Sequence, residues 1–316
     1  METFTARNRA RIAALLLASV ANYFVTALLA GAALGLALVL WVLAKVGELP
    51  TSGDGWTYLG IGTAIVIALG AVVALVAALV ALPRARRDLE AGMLSSPALT
   101  MVEDASDARR LVNLTDGLAI AAGIAAPRLA IVDDPAPNAF AIGTRPSKSV
   151  IAVTTGLLDD LTRPQVEAVL AYEITQVASL DVALTTWVIA LTAQVSSAAD
   201  VHPVAELATG FTRRFAMRMR AWALRDTAAA RDRAAIAVSK NPAALVAALE
   251  RLADDPRVVA WMAPETAALW IEVPESVARP AGSATADATL RAFSLRERIA
   301  AVRTLASLPP AAPTAD

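Results

Sequence analysis

The chain has 316 residues, 57% of them hydrophobic and 18% charged, and its net charge is −1. That is too apolar for an ordinary soluble protein and too evenly charged to suggest a nucleic-acid binder, so no nucleic-acid partner is expected. Cysteine is absent and His202 is the single histidine, which excludes disulfides, thiolate ligands and any zinc site built on two or three histidines.

Two long uncharged stretches open the chain, residues 12–44 and 56–82. Each exceeds the roughly 20 apolar residues that a bilayer-spanning helix needs, and both are too long for the core of a cleavable signal peptide. Arg7, Arg9 and Arg11 precede the first stretch, and Arg84, Arg86 and Arg87 follow the second. The connector carries Lys45 against Glu48 and Asp54. The positive-inside rule therefore places both ends in the cytoplasm and Trp41, Trp56 and Tyr58 at the outer interface. Residues 1–87 are expected to form a transmembrane hairpin, with the lipid bilayer as its partner. Residues 88–308 are expected to form the main domain, on the cytoplasmic side, and residues 309–316 a disordered tail.

Within the domain, residues 105–124 read as an amphipathic helix, with Leu111, Leu114, Leu118 and Ile120 apolar. "PRLAIVDD" reads as a short strand ending in a turn. A Pro- and Gly-rich loop follows, with a short strand at Ala139–Ile142, and then "VIAVTTGLL" as a buried strand and turn. Thr162, Pro164 and Gln165 mark a capped helix start. That helix runs through 168–181, and a continuation into 182–199 is left open. Residues 182–199 carry no charge but are marginal as a span, and length leaves both a core helix and a membrane-embedded helix open. "KNPAALVAALERLADD" is a helix capped by Asn241, "AALWIEV" is a strand or a helix end, and "SLRERIAAVRTLASL" closes the domain as an amphipathic helix. The fold class is an α+β membrane protein, mostly helical, with a small β-sheet.

The chemistry is concentrated in "YEITQ", residues 172–176. In the H-E-x-x-H signature, two histidines four apart on one helical face bind zinc and the glutamate between them activates the bound water. Glu173 keeps the glutamate position. Tyr172 and Gln176 keep the geometry without the donors, since a neutral phenol and a carboxamide are poor zinc ligands.

The flanking residues resemble the HtpX-like membrane zinc metallopeptidases, relatives of the CAAX prenyl proteases. Pro137, Asn138, Ala139, Phe140, Ala141 and Gly143 match that family's P-N-A-F-A-x-G segment. Ala152, Val153, Thr154, Gly156, Leu157 and Leu158 match its A-V-T-x-G-L-L turn. Glu167, Ala168, Val169, Leu170, Ala171, Glu173 and Asp181 match its active helix. The resemblance implies a gluzincin-like domain with a third zinc ligand, a Glu, on a later helix. Counting back from Asn241–Pro242 places Ala228 at that ligand position, Asp232 at the family's Asp and Arg225 at its upstream Arg.

All three ligand positions, Tyr172, Gln176 and Ala228, thus lack a family ligand. From this the chain is expected to bind no metal, to need no cofactor and to be a catalytically inactive pseudoprotease in a bacterial-type cytoplasmic membrane. It would serve as a membrane-anchored binding or scaffold subunit for a membrane-protein or peptide partner. The alternatives are a residual or unconventional membrane-associated peptidase and a purely structural subunit of a membrane complex. Glu173 is expected to find an arginine partner, with Arg225 the candidate. Asp181, Arg225 and Asp232 are expected to give structural support. The edge strand Asn138, Ala139, Phe140, Ala141 and Ile142 is expected to pair with extended peptides through its backbone.

Overall fold

The computed structural model describes residues 2–46, 53–103, 108–199, 214–215, 217–223, 228–260, 262, 266–273 and 295–306. Helices α1 (Glu2–Val46) and α2 (Gly53–Leu94) pack against each other as a hairpin. Both are long and apolar enough to cross a membrane. Gly31 faces Ile67, and Gly35 faces Thr63 so closely that a Cβ there would sit 2.7 Å from the threonine methyl. Small residues at the crossing let the two backbones approach. Away from that seam Leu36, Leu40, Trp41, Ile61, Ile65 and Leu69 are exposed, as lipid-facing side chains would be. Both helices outrun their uncharged cores. α2 continues through Pro83 and the arginines beyond it to Leu94.

Four strands follow: β1 (Leu99–Met101), β2 (Arg128–Val132), β3 (Ala139–Ile142) and β4 (Val150–Thr154). Their order is β1-β2-β4-β3. β2 and β4 run parallel, with Ala130 opposite Ala152, while β1–β2 and β3–β4 are antiparallel. The helices of the domain are α3 (Arg109–Ala122), α4 (Thr155–Asp160), α5 (Arg163–Ala178), α6 (Asp181–Ala199), α7 (Ala228–Ser239), α8 (Pro242–Ala253) and α9 (Leu295–Leu305).

Side-chain alternation along the strands divides the interior in two. Leu129, Ala139, Ala141, Ile151 and Val153 point into a core made with residues of α3, α5, α7, α8 and α9. Ala130, Val132, Phe140, Ile142, Val150 and Ala152 point the other way, onto Leu184, Val188 and Ile189 of α6. Leu15 of α1 and Leu82 and Met93 of α2 belong to that second core. The membrane hairpin is therefore part of the folded domain.

The helix start at residue 162 follows its local signals, with a capping box between Thr162 and Gln165. The structure decides the open question of its continuation to residue 199: the helix breaks. α5 stops at Ala178, Leu180 takes a left-handed conformation with φ 61°, and α6 leaves at 73°. Val182, Leu184, Val188 and Ile189 of α6 are buried, so the first half of this helix is core. Strand β1 had no counterpart in the sequence reading.

The turn from β4 into α4 depends on Gly156, whose amide donates to the Asp134 carbonyl at 3.0 Å. A Cβ at this position would lie 1.9 Å from the Pro135 carbonyl oxygen, a collision that requires backbone movement. Gly156→Ala should therefore destabilise the domain by about 1–3 kcal/mol, read as a lowered Tm in detergent. An unchanged Tm would contradict this packing.

Candidate functional site

Helix α5 lies under the sheet and packs on α7, so the residues of "YEITQ" are interior. Tyr172 is 1% exposed, Glu173 0% and Gln176 5%. Gln176 Nε2 donates to Glu173 Oε2 at 3.1 Å. Glu173 Oε1 has no hydrogen-bond partner among the described residues. Burial pushes the Glu173 carboxyl up to about 8, with the Arg231 and Arg298 guanidiniums pulling the other way. At neutral pH this carboxyl holds its proton.

Two ion pairs flank it. Arg231 on α7 pairs with Asp181 at the start of α6 and lies 3.5 Å from the Thr185 hydroxyl. Arg298 on α9 forks onto Asp232, with Nη2 to Oδ1 at 2.8 Å and Nε to Oδ2 at 3.2 Å. Its Nη1 donates to the Ile271 carbonyl at 2.9 Å, and its guanidinium lies 4.6 Å from the centre of the Tyr172 ring. Burial raises the Tyr172 phenol further above its usual range, so it stays neutral as well.

Asp181 and Asp232, expected as supports, are thus both in buried ion pairs, with the two arginines that act on Glu173. Arg225, the expected partner of Glu173, lies outside the described residues, as does His202. Among the described residues the cations that act on Glu173 are Arg231 and Arg298, neither of which the sequence singled out. A signal for Arg298 was present. It falls at i+3 from Leu295 and beside Ile299, with Val302 further along the same face, so a charge sits in the apolar stripe of the closing helix.

The edge-strand expectation is also corrected. Asn138 and Ala139–Ile142 are 0–2% exposed. β3 ends the sheet, but its outer side is covered. The Ile271 amide donates to the Ala139 carbonyl at 2.9 Å, and Phe140 bridges antiparallel to Trp270. Further along, the Thr186 hydroxyl of α6 meets the Gly143 amide at 3.3 Å and its carbonyl at 3.4 Å.

The helix with its retained glutamate, laid under a small mixed sheet, defines a metallopeptidase-like domain. Residues 105–253 match peptidase family M48. A "Protease HtpX homolog" of Dictyoglomus turgidum is 53% identical over 76 residues, 24% of this chain and 25% of that protein. The homolog of Limosilactobacillus fermentum is 41% identical over 95 residues, 30% and 32% of the two chains, and that of Listeria monocytogenes is 43% identical over 91 residues, 29% and 30%. These alignments span about a quarter to a third of each relative's length. Residues 105–253 are therefore similar to peptidase family M48 and to HtpX homologs.

These matches overturn the expectation of a catalytically inactive pseudoenzyme. They are to a peptidase family and to proteins named as proteases. Side chains missing from three aligned positions describe one donor set and do not measure whether the domain hydrolyses peptides. The expectation that no cofactor is needed falls with it, because the HtpX-like resemblance carries zinc. The residues described at the site do not by themselves fit that ion. Gln176 is turned onto Glu173, Tyr172 faces Arg298, and two guanidiniums flank the glutamate. Among the described residues no group of three His, Cys, Asp or Glu could hold a metal. Ala228 begins α7 and brings no donor.

Two outcomes follow. Folded Glu173 is neutral up to about pH 8, whereas the unfolded carboxyl ionises near 4.5. Between those values the folded state holds the extra proton, so this group lowers stability as pH rises, by up to ~1.4 kcal/mol per pH unit. Glu173→Gln removes that slope. The stability gained by the variant in chemical denaturation should grow from about pH 5 to about pH 8 and then level off; a gap independent of pH would show that Glu173 is ionised throughout. Separately, Arg298→Met strands Asp232 and should cost about 3–5 kcal/mol, a large part of which returns when Asp232→Leu is added. Purely additive losses in that double-mutant cycle would refute the pairing.

Proposed function

We propose that the chain is a membrane-associated, HtpX-like peptidase whose chemistry is centred on Glu173, with its domain on the cytoplasmic side and protein or peptide segments at the membrane as substrates. The observation that carries this reading is Glu173 itself. It keeps the glutamate position of the family's active helix, it is fully buried, and its carboxyl titrates near pH 8. Peptide hydrolysis needs an acceptor for the proton of the attacking water and a donor for the leaving amine. A carboxyl that titrates close to the working pH can serve in either role. Arg231 and Arg298 set positive charge beside it, which favours the negative charge that builds on an attacked carbonyl. The arginines near the start of α1 and near the end of α2 support the cytoplasmic side.

Full-length protein in detergent should hydrolyse an unfolded protein substrate slowly, with a rate that changes around pH 8. Glu173→Gln should reduce that rate roughly 100-fold or more. Equal rates for variant and parent would overturn the assignment. Loss of activity to a chelator with recovery on adding zinc would move the chemistry from the Glu173 carboxyl to a metal, and would overturn the reading in that form.

A further inference from the structure

Residues 217–223, "MRMRAWA", are helical and carry no acidic side chain. Their inner side packs onto the domain. Met219 and Ala223, four apart, join the core that holds Leu15 of α1 and Leu82 of α2. Their outer side mixes apolar and charged residues. Met217 is 58% exposed and Trp222 37%, with Arg218 and Ala221 exposed on the same face. Arg214, four positions before Arg218, is exposed as well. The stretch is fastened to α1 by Arg11. Its Nη1 donates to the Ala223 carbonyl at 3.3 Å, and its guanidinium lies 5.9 Å from the centre of the Trp222 ring. Arg11 is the last charged residue before the uncharged run 12–44. The outer face of 217–223 is therefore held at the level where bilayer hydrocarbon gives way to headgroups. Arg7 and Arg9 of α1 and Arg84 and Arg87 of α2 are exposed at the same end of the hairpin.

We propose that the face formed by Arg214, Met217, Arg218 and Trp222 is a docking surface for anionic phospholipids of the leaflet at the start of α1. The lipid phosphates sit on the two guanidiniums, and Trp222 and Met217 reach the acyl boundary. Each residue type on this face is suited to that layer. An indole is favoured at the headgroup level, where one side of the ring is apolar and the other wet. An arginine lays its stem on apolar surface and sends its guanidinium to a phosphate, which it meets with two parallel hydrogen bonds. Charge alone attracts any anion. A free phosphate would use Arg214 and Arg218 and leave Trp222 and Met217 in water, so the two apolar side chains, held at this depth by Arg11, select a lipid. The attraction is specific to negatively charged headgroups, because each guanidinium at the surface strengthens association roughly fivefold and gains nothing of the kind from a zwitterionic lipid.

The test compares full-length protein in nanodiscs of phosphatidylcholine alone with nanodiscs that also contain phosphatidylglycerol. Hydrogen exchange at the amides of 217–223 should be roughly tenfold slower in the anionic discs, while the amides of Ile151 and Ala152 in β4 exchange alike in both. Arg214→Gln with Arg218→Gln should abolish the difference. Arg214→Lys with Arg218→Lys keeps the charge and should retain most of it, and this gentler pair carries the test should the glutamine variant fail to fold. Lipids brominated near the glycerol should quench tryptophan fluorescence in the anionic discs, and Trp222→Phe should remove part of the quenched signal. Equal exchange in the two kinds of disc, a difference that survives the glutamine substitutions or is lost with lysine, or quenching unchanged by Trp222→Phe would overturn the proposal. So would equal protection of 217–223 by inorganic phosphate added to the protein in detergent, which would make this a simple anion site.

Discussion

Arg298 enters the interior from the last helix and meets the Asp232 carboxylate with two hydrogen bonds, and Arg231 does the same work for Asp181 a short distance away. Buried charges survive only in such compensated sets. The two pairs balance each other, and among the described residues Glu173, beside them, has no further cation. A third negative charge there would be desolvated and only partly compensated. This explains a carboxyl that stays protonated near neutrality although two arginines stand close. The same pairs bind α6, α7 and α9 to one another around α5, so the packing of four helices and the state of one glutamate rest on the same electrostatic balance.

The apolar interior has a second dependence. The sheet is buried on both faces, and one of those faces is closed partly by the lower ends of the membrane helices. Asn8 of α1, fully buried, donates to the Ser179 carbonyl at 3.0 Å, just past the end of α5. Arg86 of α2 reaches the Thr144 hydroxyl at 2.7 Å and lies over the Trp187 ring. The hairpin thus supplies side chains to the domain core and caps the helix that carries Glu173.

What the sequence made legible was what local chemistry determines. Thr162, Pro164 and Gln165 start α5, Asn241 caps α8, and the uncharged runs of α1 and α2 stand out by length alone. The bend at Leu180 left no such mark, because a leucine with positive φ is held by tertiary packing and has no glycine or proline to announce it. The cover on β3 was hidden for a related reason. "AALWIEV" reads equally as strand or helix, and only Asn138 and Ala139, far away in the chain, fix it as neither. At the site, the residue types at Tyr172, Gln176 and Ala228 by themselves point to a loss of function. The family match corrected that reading, because substitution at ligand positions tells which donors are gone and leaves open what the remaining side chains do. Arg231 and Arg298 come to Glu173 from later helices, through contacts that no local pattern encodes.

The uninterrupted run of α2 has a mechanical meaning. From Leu82, at the end of its uncharged core, to Leu94 the helix rises about 18 Å, and the domain is fastened to that projecting shaft as well as to the first turns of α1. A domain on a flexible tether would sample many heights and tilts above the lipid. This one is mounted at a fixed standoff, so the depth and direction from which a polypeptide can approach are set by the length of a helix.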